Sequence, residues 1–171
     1  LRCGVPASTL YVAARIEHDD RTREIIRLAG IHGLNLMEAD RLEMDRIARS
    51  SNHQGVVMKA QPFQYSSLAE LVERADKKSR AMEAANSASA RIAARPLFIA
   101  LDGVTDPQNL GAVIRSAAAF GANGVILPER RSASVTAAAW KVSAGAAAHM
   151  PVARVVNITK AIESLKERGY Y

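Results

Sequence analysis

Leu97-Phe98-Ile99-Ala100-Leu101 runs directly into Asp102-Gly103-Val104-Thr105-Asp106-Pro107-Gln108-Asn109-Leu110-Gly111-Ala112-Val113-Ile114-Arg115-Ser116-Ala117. The first five residues form a continuous apolar run, as in a strand covered on both faces. Asp106 then offers an N-cap, Pro107 fits the first helical position, and Leu110, Val113, Ile114 and Ala117 recur at helical spacing. Strand, turn and helix in that order predict a β-α unit. The turn falls at the carboxyl end of the strand, where open α/β sheets place ligand sites. Two readings of Arg115 stay open on the pattern alone. It is a solvated helix residue, or, with Gly111 and Ala118 above and below it on one face, an approachable guanidinium suited to phosphate and ribose oxygens.

Downstream the same alternation repeats. Residues 124–127 predict a second strand, 134–148 an Ala-rich helix, 152–156 a third strand, and 158–168 a helix closed by Gly169. Tyr170-Tyr171 reads as the first step of a fourth strand. Such alternation implies a parallel sheet with right-handed crossovers. Upstream, residues 10–14, 36–39 and 56–60 predict strands. Helices are expected after Asp19-Asp20, after Asp40, and from a Ser66 or Ser67 cap through Ala75. The expected organisation is therefore α/β throughout. Residues 1–75 form a small N-terminal domain, 76–95 a linker, and 96–171 the parallel-sheet domain. The linker carries only Met82 and Ile92 as large apolar residues, and Pro96 marks its end.

Composition narrows the classes. Hydrophobic residues make up 49% and charged residues 23%, which is globular. No apolar run approaches membrane-spanning length, and no signal peptide opens the chain, so no membrane partner is expected. The single Cys3 excludes an internal disulfide, and His18, His32 and His149 are scattered, so no metal site is expected. These features fit a reducing, cytoplasmic setting. The net charge is +6, unevenly spread. Residues 1–75 balance ten basic against ten acidic residues, whereas 76–95 hold five against two and 96–171 eight against five. The surplus lies where a phosphate-bearing partner would meet the middle and C-terminal parts. Neither a Walker loop nor a Gly-x-Ser-x-Gly elbow occurs, which disfavours a nucleotide-binding or hydrolase domain.

The run from Asp102 to Ala117, with Phe120-Gly121-Ala122, resembles the first signature motif of the SpoU–TrmH family of RNA ribose methyltransferases. Lys141-Val142-Ser143-Ala144-Gly145-Ala146 with Pro151-Val152 matches that family at similar spacing. Asn52-His53-Gln54-Gly55-Val56 resembles the loop of its accessory domain, a small RNA-binding α/β fold shared with some ribosomal proteins. The subgroup most similar in pattern acts on guanosine of 23S ribosomal RNA. The resemblance implies methyl transfer from S-adenosylmethionine to a ribose 2′-hydroxyl, in a cytoplasmic homodimer with RNA as partner. It implies catalytic roles for Arg115, in deprotonation or in alkoxide stabilisation, and for Asn109, which would hold the loop or the arginine. The family's later motifs, which form its C-terminal trefoil knot and bind the donor, do not occur in these residues. The expectation is a domain truncated before the knot, with cofactor-binding residues beyond Tyr171. An RNA-binding module without catalysis is the competing reading.

Further candidates for RNA contact are His53, Gln54 and Gly55 in the accessory loop, Arg130 and Arg131 after the second strand, and Lys141 and Ser143 on the Ala-rich helix. Each has a plainer alternative: a polar turn, a solvated charge pair, or a capping role. Trp140 reads as core rather than as a base-stacking platform.

Overall fold

A computed structural model describes residues 4–17, 19–84 and 95–171. Cys3, His18 and the linker residues around Ile92 lie outside the described residues. The chain divides into two compact units, Leu1–Pro62 and Phe63–Tyr171.

The first unit contains β1 (Ala7–Ala13), α1 (Asp20–Ile31), β2 (Asn35–Ala39), α2 (Arg41–Ala48) and β3 (Val56–Ala60). Its sheet has the order β2-β1-β3, with β2 parallel and β3 antiparallel to the central strand. Leu10 and Val12 of β1 and Ala29 of α1 are buried together, with Ile25, Val56 and Met58 against them. Both helices begin where the sequence places a cap. Asp19 accepts from the Thr22 amide at 2.7 Å, and Asp40 from the Glu43 amide at 2.8 Å. Each side chain satisfies a donor that the first helical turn leaves open.

The second unit contains α3 (Leu68–Glu83), β4 (Phe98–Ala100), α4 (Pro107–Ala119), β5 (Gly124–Pro128), α5 (Ala137–Val142), a short 3-10 turn (Ala146–Ala148), β6 (Val152–Val155) and α6 (Ile158–Glu167). Its sheet is parallel throughout, in the order β4-β5-β6. Side chains of β5 alternate between its faces. Val125 and Leu127 meet Leu110, Ile114 and Ala117 of α4, while Ile126 meets Leu71 and Val72 of α3 and Leu165 of α6. The central strand is therefore covered on both sides, as its unbroken apolar run requires.

Three expectations change. Residues 63–75 pack in the second unit, not with the N-terminal domain: Leu71, Val72 and Ala75 are buried there. Gly124 explains the fit, since a Cβ at that position would lie 2.3 Å from Leu71 Cδ1. Residues 76–83 continue α3, which a capping box of Ser67 and Glu70 starts. These bonds also hold the Glu70 carboxyl below its ordinary value.

The Ala-rich helix expected over 134–148 is shorter, spanning Ala137–Val142, because Ala144 (φ 50°) and Gly145 (φ 88°) turn left-handed. Tyr170 does not start a strand. Gly169 (φ 87°) closes α6, with its amide on the Lys166 carbonyl and the Tyr170 amide on the Leu165 carbonyl. The Tyr170 ring then lies 5.3 Å from Phe98, and its hydroxyl donates to Asp76 at 2.5 Å. Burial, with that bond to the carboxylate second, pushes the phenol up to about 12.

Candidate functional site

The carboxyl ends of the three parallel strands bring together two loops of the second unit. After β4, residues 101–106 lead into α4. Asp106 caps that helix through both carboxylate oxygens, 3.1 Å from the Gln108 amide and 3.3 Å from the Asn109 amide. Pro107 stands at the helix start, where a missing N–H costs nothing. The side chains of Asn109 and Arg115 are both exposed. Six residues separate them, so they differ by about 120° around the helix axis and about 9 Å along it. Asn109 lies in the first turn of α4, next to the loop that Asp106 caps.

Gly111 has a different function from the one its spacing suggests. A Cβ there would come within 2.5 Å of the Ala139 carbonyl oxygen, so Gly111 is the point where α4 and α5 cross. It permits helix packing and does not open space around Arg115. Arg115 emerges one turn further along, on the exposed side.

The second loop, residues 129–136, follows β5 and carries Arg130 and Arg131, both exposed, with Arg131 in the left-handed region at φ 57°. The Ala133 amide donates to the Val104 carbonyl at 2.7 Å, which joins this loop to the one before α4. The Ser132 hydroxyl donates to the Pro128 carbonyl at 2.5 Å. The Glu129 amide donates to the Val155 carbonyl at 2.8 Å, so the end of β6 belongs to the same surface. Two residues not singled out in the sequence also hold this loop. The Tyr65 hydroxyl accepts from the Val135 amide at 2.8 Å, and Arg154 donates to the Ser134 hydroxyl at 2.7 Å. Neither lies in a motif, and their contacts span 70 and 20 residues, so nothing in local spacing reveals them.

Lys141 is exposed in the last turn of α5. Ser143 is not available to a ligand: it is fully buried. Its hydroxyl donates to the Trp140 carbonyl at 2.7 Å and accepts from the Ala147 amide at 3.3 Å, which ties α5 to the 3-10 turn. Trp140 packs against the core, 6.0 Å from the Phe63 ring.

In the first unit, residues 53–55 lie between α2 and β3. The His53 ring is turned inward, with a side chain only 8% exposed. Its Nδ1 accepts from the Gly55 amide at 3.0 Å, so Nε2, 3.1 Å from Asp45, carries the proton and donates to that carboxylate. Gly55 (φ 79°) lies over Ile16, where a Cβ would approach Ile16 Cδ1 to 2.9 Å. Gln54 (φ 52°) is the member of the trio that is exposed. His53 and Gly55 thus shape the loop, and Gln54 is presented by it.

Among the described residues no helix is long and apolar enough to cross a membrane, and no three His, Cys, Asp or Glu side chains gather as a metal ion would need.

Residues 96–171 match the model of the SpoU rRNA methylase family. Residues 1–66 match the model described as RNA 2′-O ribose methyltransferase substrate binding. The chain belongs to the SpoU methylase family. It is 45% identical over 169 residues to an uncharacterised tRNA/rRNA methyltransferase of Mycolicibacterium vanbaalenii, covering 99% of this chain and 49% of the relative. A similarly described protein of Mycobacterium marinum is 43% identical, with coverage of 99% and 50%. The chain thus spans about half the length of the curated relatives it matches. The fold is that of an AdoMet-bound rRNA methyltransferase from Sinorhizobium meliloti, with TM-score 0.67, 23% identity, and coverage of 96% of this chain and 52% of that one. It is also that of the SpoU methyltransferase AviRb from Streptomyces viridochromogenes, with TM-score 0.66, 20% identity, and coverage of 98% and 53%.

Proposed function

We propose that the intact protein methylates a ribose 2′-hydroxyl of RNA, guanosine of 23S ribosomal RNA in particular, with S-adenosylmethionine as methyl source, and that it works as a cytoplasmic homodimer. The observation that carries this reading is the exposed Arg115 on α4, the helix that leads out of the joined loops at the carboxyl edge of the sheet. The Sinorhizobium relative is described as AdoMet-bound, which supports the choice of donor. Among the described residues, one solvent-open cleft of the second unit is lined by Phe98, Ile126, Leu165, Tyr170 and Tyr171 with Asp76 and Arg95, and another by Ile99, Val113 and Phe120. They do not fit an enclosed adenosine site, so the residues of this chain are assigned the RNA side of the reaction only.

A 2′-hydroxyl becomes a good nucleophile only as its proton leaves and negative charge develops on oxygen. An arginine in water keeps its proton, so exposed Arg115 serves as an electrostatic partner and not as a base. Its planar fork holds a neighbouring phosphate and stabilises the developing alkoxide. Arg130 and Arg131, on the loop after β5, hold the RNA backbone, Lys141 adds a further contact, and Asn109 keeps the loop before α4 in shape. In the first unit, Gln54 meets RNA on a loop organised by His53 and Gly55.

Incorporation of tritiated methyl groups into ribosomal RNA by the intact protein tests this reading. Arg115→Ala is expected to slow transfer by roughly 10² or more, and Arg115→Lys to restore little of it, because an ammonium lacks the fork. Transfer at the parental rate by the alanine variant would return Arg115 to an ordinary solvated position.

A further inference from the structure

The hold on residues 133–135 is built from three directions. The Ala133 amide donates to the Val104 carbonyl of the loop before α4. The Ser134 hydroxyl accepts from Arg154 of β6 at 2.7 Å. The Val135 amide donates to the Tyr65 hydroxyl at 2.8 Å. Tyr65 is fixed in turn by its neighbour Ser66, which makes a single parallel bridge to the free edge of β6. The Ser66 amide donates to the Val152 carbonyl at 2.9 Å, and the Ser66 carbonyl accepts from the Arg154 amide at 3.3 Å. The Arg154 guanidinium stacks on the Tyr65 ring, with Cζ 3.9 Å from the centroid, and donates to the Tyr65 hydroxyl at 3.2 Å.

Simple packing does not account for Arg154. Among the described residues no carboxylate pairs with it, and its Nε is buried without a hydrogen-bond partner. An unpaired cation with a buried, unsatisfied donor is unfavourable, and an aliphatic residue would cover the Tyr65 ring at less cost. What an aliphatic residue lacks is a guanidinium plane that stacks on the ring while its Nη2 donates to both hydroxyls. The loop it grips has no ladder of its own and bends through a left-handed Arg131, so its shape depends on holds from outside.

We propose that Tyr65 and Arg154 are positioning residues. By clasping residues 133–135 they set where Arg130 and Arg131 stand relative to the loop before α4, and hence how the RNA backbone is presented to Arg115. They touch no substrate themselves. The inference rests on the reading of Arg130 and Arg131 as phosphate-holding groups.

The test uses the intact protein with Tyr65→Phe, Arg154→Met, Arg154→Lys and the mild surface change Ser134→Ala, which keeps the fold should a larger change disturb it. The first readout is amide hydrogen exchange at Ala133, whose own partner, Val104, none of the variants alters. The clasp predicts faster exchange there in every variant, while amides of α4 and β5 stay protected. The second readout is methyl-transfer kinetics. KM for RNA is expected to rise roughly 10-fold in Arg154→Met with a smaller change in kcat, since a displaced loop weakens positioning. Arg154→Lys is expected to fall between the parent and the methionine variant, since an ammonium can still donate to the hydroxyls but lacks the plane that stacks on Tyr65. Unchanged Ala133 exchange together with unchanged KM in Ser134→Ala and Tyr65→Phe would overturn the clasp. A uniform loss of protection across the second unit would also overturn it, by showing a general stabilising role. If the intact protein transfers no methyl group to RNA, the proposed function fails, while the exchange at Ala133 still decides whether the clasp exists.

Discussion

At the scale of single residues, chemical type and local role separate most clearly at Ser143. Serine next to Lys141 on an Ala-rich segment is a reasonable RNA contact by composition, yet the side chain is fully buried and spends both functions of its hydroxyl on backbone. Ser143→Ala would leave the buried Ala147 amide without an acceptor, a cost of about 1–3 kcal/mol. The expected outcome is a lower urea midpoint with RNA affinity, measured under conditions where the variant is folded, equal to that of the parent. Weaker RNA binding without loss of stability would show that the hydroxyl reaches the ligand after all. His53 teaches the same lesson from the other unit. Its ring is a brace between Asp45 and the Gly55 amide, so its replacement alters the loop itself, whereas Gln54 can be changed with the brace left in place.

At the scale of elements, the close crossing of α4 and α5 depends on one absent side chain. Alanine at position 111 would favour the helix by about 1 kcal/mol over glycine. Its Cβ would, however, lie 2.5 Å from the Ala139 carbonyl oxygen, a backbone atom that cannot swing aside. Overpacking of this kind costs about 1–3 kcal/mol and outweighs the propensity gain. Gly111→Ala is therefore expected to lower the midpoint of urea unfolding, and a variant as stable as the parent or more so would contradict the crossing. The length of α5 is also an outcome of its surroundings. Alanine favours helix through 144–148, but residues 134–136 make a tight turn, with the Thr136 amide on the Ser134 carbonyl at 2.8 Å, and the chain turns left-handed at Ala144 and Gly145.

At the scale of the whole chain, the boundary between units is decided by which core closes around which residues. Leu71 and Val72 are 0% and 2% exposed, and they cover Ile126 and Ala153. Removing both would lose about 3–6 kcal/mol of burial, a large share of the 5–15 kcal/mol that a small domain typically has. A fragment of residues 63–171 is thus expected to melt cooperatively, and one of residues 76–171 to lack a cooperative transition. Equal melting of the two fragments by circular dichroism would show that α3 is dispensable to this core.

The order of strands and helices, the caps at Asp19, Asp40, Ser67 and Asp106, and the parallel character of the second sheet follow from local pattern. Hydrophobic period and capping chemistry act over a few residues and are visible in the chain as written. The first sheet was less legible: its strands were readable one by one, but the antiparallel pairing of β3 with β1 depends on which edges meet. Of the candidate site, Asn109 and Arg115 stand out through the resemblance of their run to a family motif, since pattern alone leaves Arg115 open, and the exposed pair Arg130 and Arg131 through residue type and place after β5. What only tertiary structure decided are the inward turn of His53, the burial of Ser143, the use of Gly111 as a crossing point, and the hold of Tyr65 and Arg154 on the loop after β5. Each depends on contacts made after the helices and strands pack, between groups as far apart in sequence as Tyr65 and Arg154, 89 residues. No short-range spacing encodes such a contact, because the partner's position is set by the packing of whole elements and not by the neighbours along the chain.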